Sequence, residues 1–109
     1  MVRAMAQTPP SLTPEQRAKA LERAAAARRA RAEVKGRLKM GSLTLPELLT
    51  QADGDDILAK MKVLAVLESL PGLGKVKARR LLEEIGIADT RRIQGLGEQQ
   101  RARLLEKLS

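Results

Sequence analysis

The sequence predicts an all-α protein, on three observations. Thr13-Pro14-Glu15-Gln16 and Thr44-Leu45-Pro46-Glu47 both read as helix starts. Each pairs a capping threonine with a first-turn proline and, three residues after the threonine, a Gln or Glu. Apolar residues recur at helical spacing through the C-terminal half. No segment carries a convincing strand pattern.

Residues 1–12, with Pro9 and Pro10 among polar neighbours, read as a disordered segment. Thr13 then opens a helix expected to reach about Lys39, with Leu12 as a candidate staple residue. Its composition is nearly all good helix formers, including Ala24 to Ala27 in a row. Its large apolar residues are Leu21, Val34 and Leu38. Leu21 lies roughly 220° round the helix from Val34 at ~3.6 residues per turn, so no continuous stripe faces a core. Only the C-terminal end is expected to pack, while the first turns project as a basic rod. The alternative is an ordinary surface helix packed through its alanines.

Met40-Gly41-Ser42 ends that helix, and Thr44 opens a short one to about Ala52. Asp53-Gly54-Asp55 is a turn, after which Asp55 or Asp56 caps the next helix. That helix, about 56–69, is apolar almost all round and is expected to be the most buried element. A further helix over about 75–85 buries Ala78, Leu81, Leu82 and Ile85 and closes on Gly86, with Ile87 beyond it. Asp89 or Thr90 caps one short turn, and a last helix spans about 97–108.

The chemistry concentrates in Leu70-Pro71-Gly72-Leu73-Gly74-Lys75-Val76-Lys77. Glycine lets the backbone take positive φ and approach a ligand closely. The turn also opens a helix, whose first amides have no partner within it and point outward at the positive end of the dipole. Such a place binds an anion, and Lys75 and Lys77 add charge beside it. The stretch resembles the helix-hairpin-helix motif, which grips the DNA backbone without reading bases. A plain interhelix turn is the bland reading of the same glycines.

The pattern recurs 23 residues on: seven of fifteen positions are identical between 71–85 and 94–108. Gly95, Leu96 and Gly97 match Gly72, Leu73 and Gly74, with Glu98 in the place of Lys75, so the second copy reads as the weaker phosphate site. Between the copies lie Arg91 and Arg92. Two adjacent arginines on a short turn cannot both pack inward, and the guanidinium fork matches phosphate and enters narrow minor grooves. Arg28, Arg29 and Arg31 on the rod, with Lys62 and Arg80, form a secondary set of candidate DNA contacts. For Arg79 and Arg80 the competing reading is that one or both simply solvate the helix face.

Composition narrows the function. The 109 residues carry net charge +8, with an isoelectric point near 10.6. Residues 14–39 hold nine Lys/Arg against three Asp/Glu, and residues 71–109 hold nine against five. Residues 40–70 are acidic, with two against five. Two basic regions flanking an acidic middle suit a duplex binder with two contact regions. Cysteine and histidine are absent, which removes disulfides, thiolate zinc sites and histidine acid–base chemistry. Aromatic residues are absent too, so bases cannot be stacked on Phe, Tyr or Trp as single-strand and RNA binders do. Duplex binding through phosphates needs none. No apolar run reaches the ~18 residues of a membrane span, and no signal peptide is expected. The pairs Asp55/Asp56 and Glu83/Glu84 read as caps and surface charge. Some DNA glycosylases share the Leu-Pro-Gly-apolar-Gly hairpin but place a catalytic lysine where Val76 stands here, so no enzyme, metal or cofactor is expected.

Taken together the chain resembles the actinobacterial integration host factors over roughly residues 12–108. The matching pieces include Leu12 to Ala18, Ala24 to Arg29, Arg31 to Lys35, Lys60 to Val63, Leu70 to Lys75 and Thr90 to Gly97. The resemblance implies a helix-two-turn-helix globule over 40–109 behind the basic helix 13–39. It also implies a nucleoid-associated protein of the cytoplasm that bends or compacts duplex DNA with little sequence preference. Family members often carry a third arginine where Gln94 stands. The expected partner is duplex DNA, with no membrane and no small-molecule substrate. The expected form is a monomer able to bridge two DNA segments. The rival readings are an RNA- or ribosome-associated helix-two-turn-helix protein and an accessory domain that recruits a recombination or repair enzyme.

Overall fold

The computed structural model describes residues 12–108. The expected disorder of 1–12 therefore falls outside the described residues for all but Leu12. The described chain is helical: α1 Pro14–Met40, α2 Leu45–Ala52, α3 Asp56–Ala59, α4 Val63–Ser69, α5 Gly74–Ile85 and α6 Glu98–Leu108, with a 3-10 turn at Ile93–Gly95.

Both capping boxes form. Thr13 N–H donates to Gln16 Oε1 and Gln16 N–H to Thr13 Oγ1, each at 3.0 Å. At α2, Thr44 N–H donates to Glu47 Oε1 at 2.9 Å and Glu47 N–H returns to Thr44 Oγ1 at 3.3 Å. Asp55 caps α3, its Oδ1 accepting from Ile57 and Leu58 N–H. Gly86 ends α5 at φ +85°, and Ile87 N–H reaches back to the Leu82 carbonyl at 2.8 Å. Leu12 stays half exposed.

The single helix expected over 56–69 is two. The chain leaves helical geometry at Lys60-Met61-Lys62, and Lys62 forms an isolated antiparallel bridge with Arg92. The reason lies in how many sides of this segment must be buried. Leu58, Ala59, Met61, Val63, Val66 and Leu67 are all in the core. On one straight helix they would span about 240° of arc at ~100° per residue, more than a surface helix can turn inward. Breaking the helix lets Met61 and Val63 face inward while Lys62 faces out. The polar residue in this core, Ser69, is satisfied by its own helix, donating to the Ala65 carbonyl at 2.9 Å.

The core sits where α4 packs on α5 and on the end of α1, with α2 packed on α3 and α6 closing against α5. Within α1 only Val34 and Leu38 are buried, while Leu21 is 64% exposed. The helix is therefore anchored at its C-terminal end alone. Its 27 residues extend about 40 Å. The radius of gyration is 17.9 Å, against roughly 13 Å for a compact domain of about 100 residues. The rod accounts for the excess.

Glu47 makes the α2 cap depend on pH. Its carboxyl is lowered below its ordinary value, first by the Thr44 N–H, then by the Thr44 hydroxyl at 2.8 Å, with Arg37 adding a smaller attraction. A carboxyl depressed in the folded state stabilises fully above its unfolded pKa and stops doing so as pH falls through the folded one. Glu47→Gln should therefore lower the thermal midpoint at pH 7. The gap from the native chain should close as pH drops through the carboxylate range, as followed by circular dichroism.

Candidate nucleic-acid interface

The first glycine turn has the geometry that its sequence requires. Gly72 and Gly74 stand at φ +78° and +75°, in the left-handed region. Both are exposed and open space surrounds the place a Cβ would take, so each is glycine for its backbone and not for crowding. Leu73 folds its side chain against the core between them. No side chain caps α5, so its first-turn amides face outward. Lys75, Val76 and Lys77 are exposed on that turn, Val76 at 71%.

A second basic centre forms at the other end of α4. Val63 N–H donates to the Arg91 carbonyl at 2.9 Å, and Ile93 N–H donates to the Met61 carbonyl at 3.0 Å. These bonds bracket Lys62 and Arg92 and make them a non-hydrogen-bonded antiparallel pair, the kind whose side chains stand closest and on one face. Met61, Val63 and Ile93 face inward and are buried, leaving Lys62 and Arg92 outward and exposed. With Arg31 and Lys35 of α1 and Lys60 at the end of α3 they line a cleft of about 330 Å³. None of these five side chains has a carboxylate partner among the described residues.

The two centres are separated by α4, whose seven residues rise about 10 Å. That spacing is of the order of a DNA groove width. Lys35 and Lys60 were absent from the residues expected from sequence. The signal for Lys60 was short: Ala59-Lys60-Met61-Lys62-Val63 alternates apolar and cationic residues over five positions, a strand period hidden inside a helical one.

The second glycine turn repeats the first in sequence and not in backbone. Neither Gly95 nor Gly97 has positive φ. Gly95 closes the 3-10 turn, and a Cβ there would come within 3.0 Å of Arg91 Cδ. Arg91 is half-buried and donates from Nη1 to the Gly95 carbonyl at 2.9 Å. Gly97 gives its N–H to Gln100 Oε1 at 3.1 Å. The amide expected to face a phosphate is thus turned to its own helix cap. Neither Asp89 nor Thr90 caps the turn, which starts on Arg92 without a side-chain cap.

A family model described as the S13-like H2TH domain matches residues 38–108. Integration host factor of Mycolicibacterium smegmatis is 61% identical over 98 residues, covering 90% of this chain and 93% of its own length. That of Mycobacterium tuberculosis is 60% identical over the same shares, and that of Streptomyces coelicolor 58% identical over 87% and 89%. The chain belongs to the integration host factor family. A solved structure of sIHF bound to an 8-bp palindromic DNA superposes with a TM-score of 0.78 at 51% identity, covering 81% of this chain and 99% of that one.

The remaining cations of this integration host factor family member are less gathered. Arg28 and Arg29 are exposed on the rod, away from the cleft lining, and Arg79 and Arg80 are exposed on α5. Gln94 is exposed in the 3-10 turn. Three of the carboxylates have structural partners: Asp55 caps α3, Asp53 pairs with Arg101 at 3.2 Å and Glu84 with Lys107 at 3.1 Å. Among the described residues no group of three or more acidic residues could hold a metal, and no helix is long and apolar enough to cross a membrane. The larger cavity, about 380 Å³ behind the Pro71–Leu73 turn, carries no titratable side chain.

The contrast between the two turns is measurable. Gly72→Ala and Gly74→Ala should each cost about 1–2 kcal/mol, the penalty of left-handed backbone for an L residue. Gly97→Ala should cost less than about 1 kcal/mol, the smaller difference between glycine and alanine at a helix N-cap without positive φ. Urea unfolding of the three variants tests this.

Proposed function

We propose that the chain is a nucleoid-associated, non-enzymatic protein that binds duplex DNA largely without sequence preference and bends or compacts it. The observation that carries the reading is the convergence of Arg31, Lys35, Lys60, Lys62 and Arg92 on one cleft without a counter-charge. Like charges directly opposite on paired strands are destabilising. A Lys62–Arg92 pair is kept at a cost that an outside anion relieves. The likeness to sIHF, which was solved on DNA, supports a nucleic-acid phosphate as that anion.

In this reading the Gly72 and Gly74 turn, with Lys75 and Lys77, holds one phosphate region through the outward amides of α5. Arg92 and Lys62 hold a neighbouring one, and Arg91 braces the turn from behind through Gly95. Arg28 and Arg29 on the rod reach further along the same DNA or onto a second segment. Gripping two regions lets a monomer bend DNA, a deformation of a few kcal/mol repaid by the added contacts. The compartment is the cytoplasm, on the nucleoid. No cofactor or metal is assigned, since the candidate site is built of cations alone. An RNA-bound role draws no support from relatives that share one name along most of the chain.

Equilibrium binding to two unrelated duplexes across a salt series tests the reading. Affinity should be similar on both and should fall steeply with salt. Lys62→Ala/Arg92→Ala should flatten the slope of log K against log salt by about 2, one for each lost phosphate contact. A native chain that ignores both duplexes at low salt, or prefers A-form RNA in competition, would overturn it.

A further inference from the structure

We propose that the cleft between α1 and the Lys62–Arg92 bridge is also a binding site for a free oligophosphate chain. The ligand class is three or more linked phosphoryl groups, inorganic or at the end of a nucleotide. Its occupation competes with DNA; that competition rests on the DNA-binding reading above, while the site itself does not.

Three features of the cleft carry the proposal. Its cations come from three separate segments, α1, the α3–α4 break and the Arg91–Ile93 strand, so they surround a space instead of lining a ridge. Arg31 and Lys35 lie one turn apart on the same helix face, across from Lys60, Lys62 and Arg92. No carboxylate lines the cleft, and among the described residues Asp53 and Glu84 pair instead with Arg101 and Lys107. The volume, about 330 Å³, is at the small end of the range for small-ligand sites.

Shape then separates two kinds of phosphate ligand. A duplex presents a convex backbone, so its phosphates approach these exposed cations from one side and match them only in part. A short flexible chain of linked phosphates enters, and each of its oxygens accepts from donors on opposite walls. Arg supplies a planar fork and Lys a mobile point charge, and both are present here. The floor is Met61 and Ala65, which offers no competing acceptor or carboxylate to a polyanion.

Calorimetric titration of the whole chain at fixed ionic strength tests this, with inorganic tripolyphosphate, ATP without magnesium and orthophosphate as probes. Tripolyphosphate should bind at least tenfold tighter than orthophosphate. Arg31→Ala/Lys35→Ala should weaken it at least tenfold, and Lys75→Ala/Lys77→Ala should leave it within about twofold. Lys62→Gln/Arg92→Gln, with its folding checked by circular dichroism, should reproduce the loss from the other wall. ATP equal to tripolyphosphate supports a terminal triphosphate as the recognised unit, and weaker ATP binding supports inorganic chains. Tripolyphosphate binding no better than orthophosphate would overturn the proposal, as would equal loss in the hairpin and cleft variants. DNA binding measured on the same variants keeps the two readings apart. A chain that holds tripolyphosphate but ignores duplex DNA keeps the site and loses the DNA role.

Discussion

Two backbone hydrogen bonds, Val63 N–H to the Arg91 carbonyl and Ile93 N–H to the Met61 carbonyl, tie together segments some thirty residues apart in the chain. Much of the candidate interface depends on them. They hold Lys62 and Arg92 side by side and turn Met61, Val63 and Ile93 into the core. They also place Arg91, whose guanidinium then braces the 3-10 turn through the Gly95 carbonyl. Each bond adds only about 1 kcal/mol net. Their importance is positional, because the apolar burial that accompanies them is possible in this register alone. A one-residue slip would send the lysine inward and the methionine out.

The rod joins this arrangement through one narrow face. At ~100° per residue, Val34, Leu38, Arg31 and Lys35 fall within an arc of about 100°. Val34 and Leu38 bury themselves against the globule, and the same docking carries Arg31 and Lys35 to the wall of the cleft. One packing event therefore both anchors the helix and completes the basic site. The rest of α1 has no core contact of comparable size, and its helicity rests on alanine-rich propensity and on the Thr13 capping box. Such a segment is available for a partner without disturbing the fold.

Much of this was legible in the sequence. The two capping boxes, the left-handed glycines at 72, 74 and 86, and the burial of Val34 and Leu38 but not Leu21 follow from local chemistry that a single segment specifies. What escaped was non-local. The break at Lys60–Lys62 is decided by Arg91–Ile93, and a strongly apolar helical period masked the short alternation at 59–63. The second glycine turn misled for the opposite reason. Identical residues at Gly95 and Gly97 took a different backbone because Arg91 and Gln100 already occupy the groups that would otherwise face outward. The cleft was half visible: Arg31, Lys62 and Arg92 were candidates on separate grounds, and only the fold brings them together with Lys35 and Lys60.

The residue types used here also limit how such a site can be controlled. The chain has no histidine and no cysteine, so no side chain changes charge near neutral pH by its ordinary chemistry. The cleft and the hairpin use lysine and arginine. Their attraction for an anion varies with two quantities, the ionic strength that screens exposed charges and the concentration of anions able to occupy the same cations. A carboxylate partner inside the cleft would have weakened both dependences by neutralising the site from within. Leaving five cations uncompensated there costs stability through mutual repulsion and makes the site responsive to the polyanions around it. That trade is set by where the chain places its acids: among the described residues none lines the cleft or pairs with its five cations.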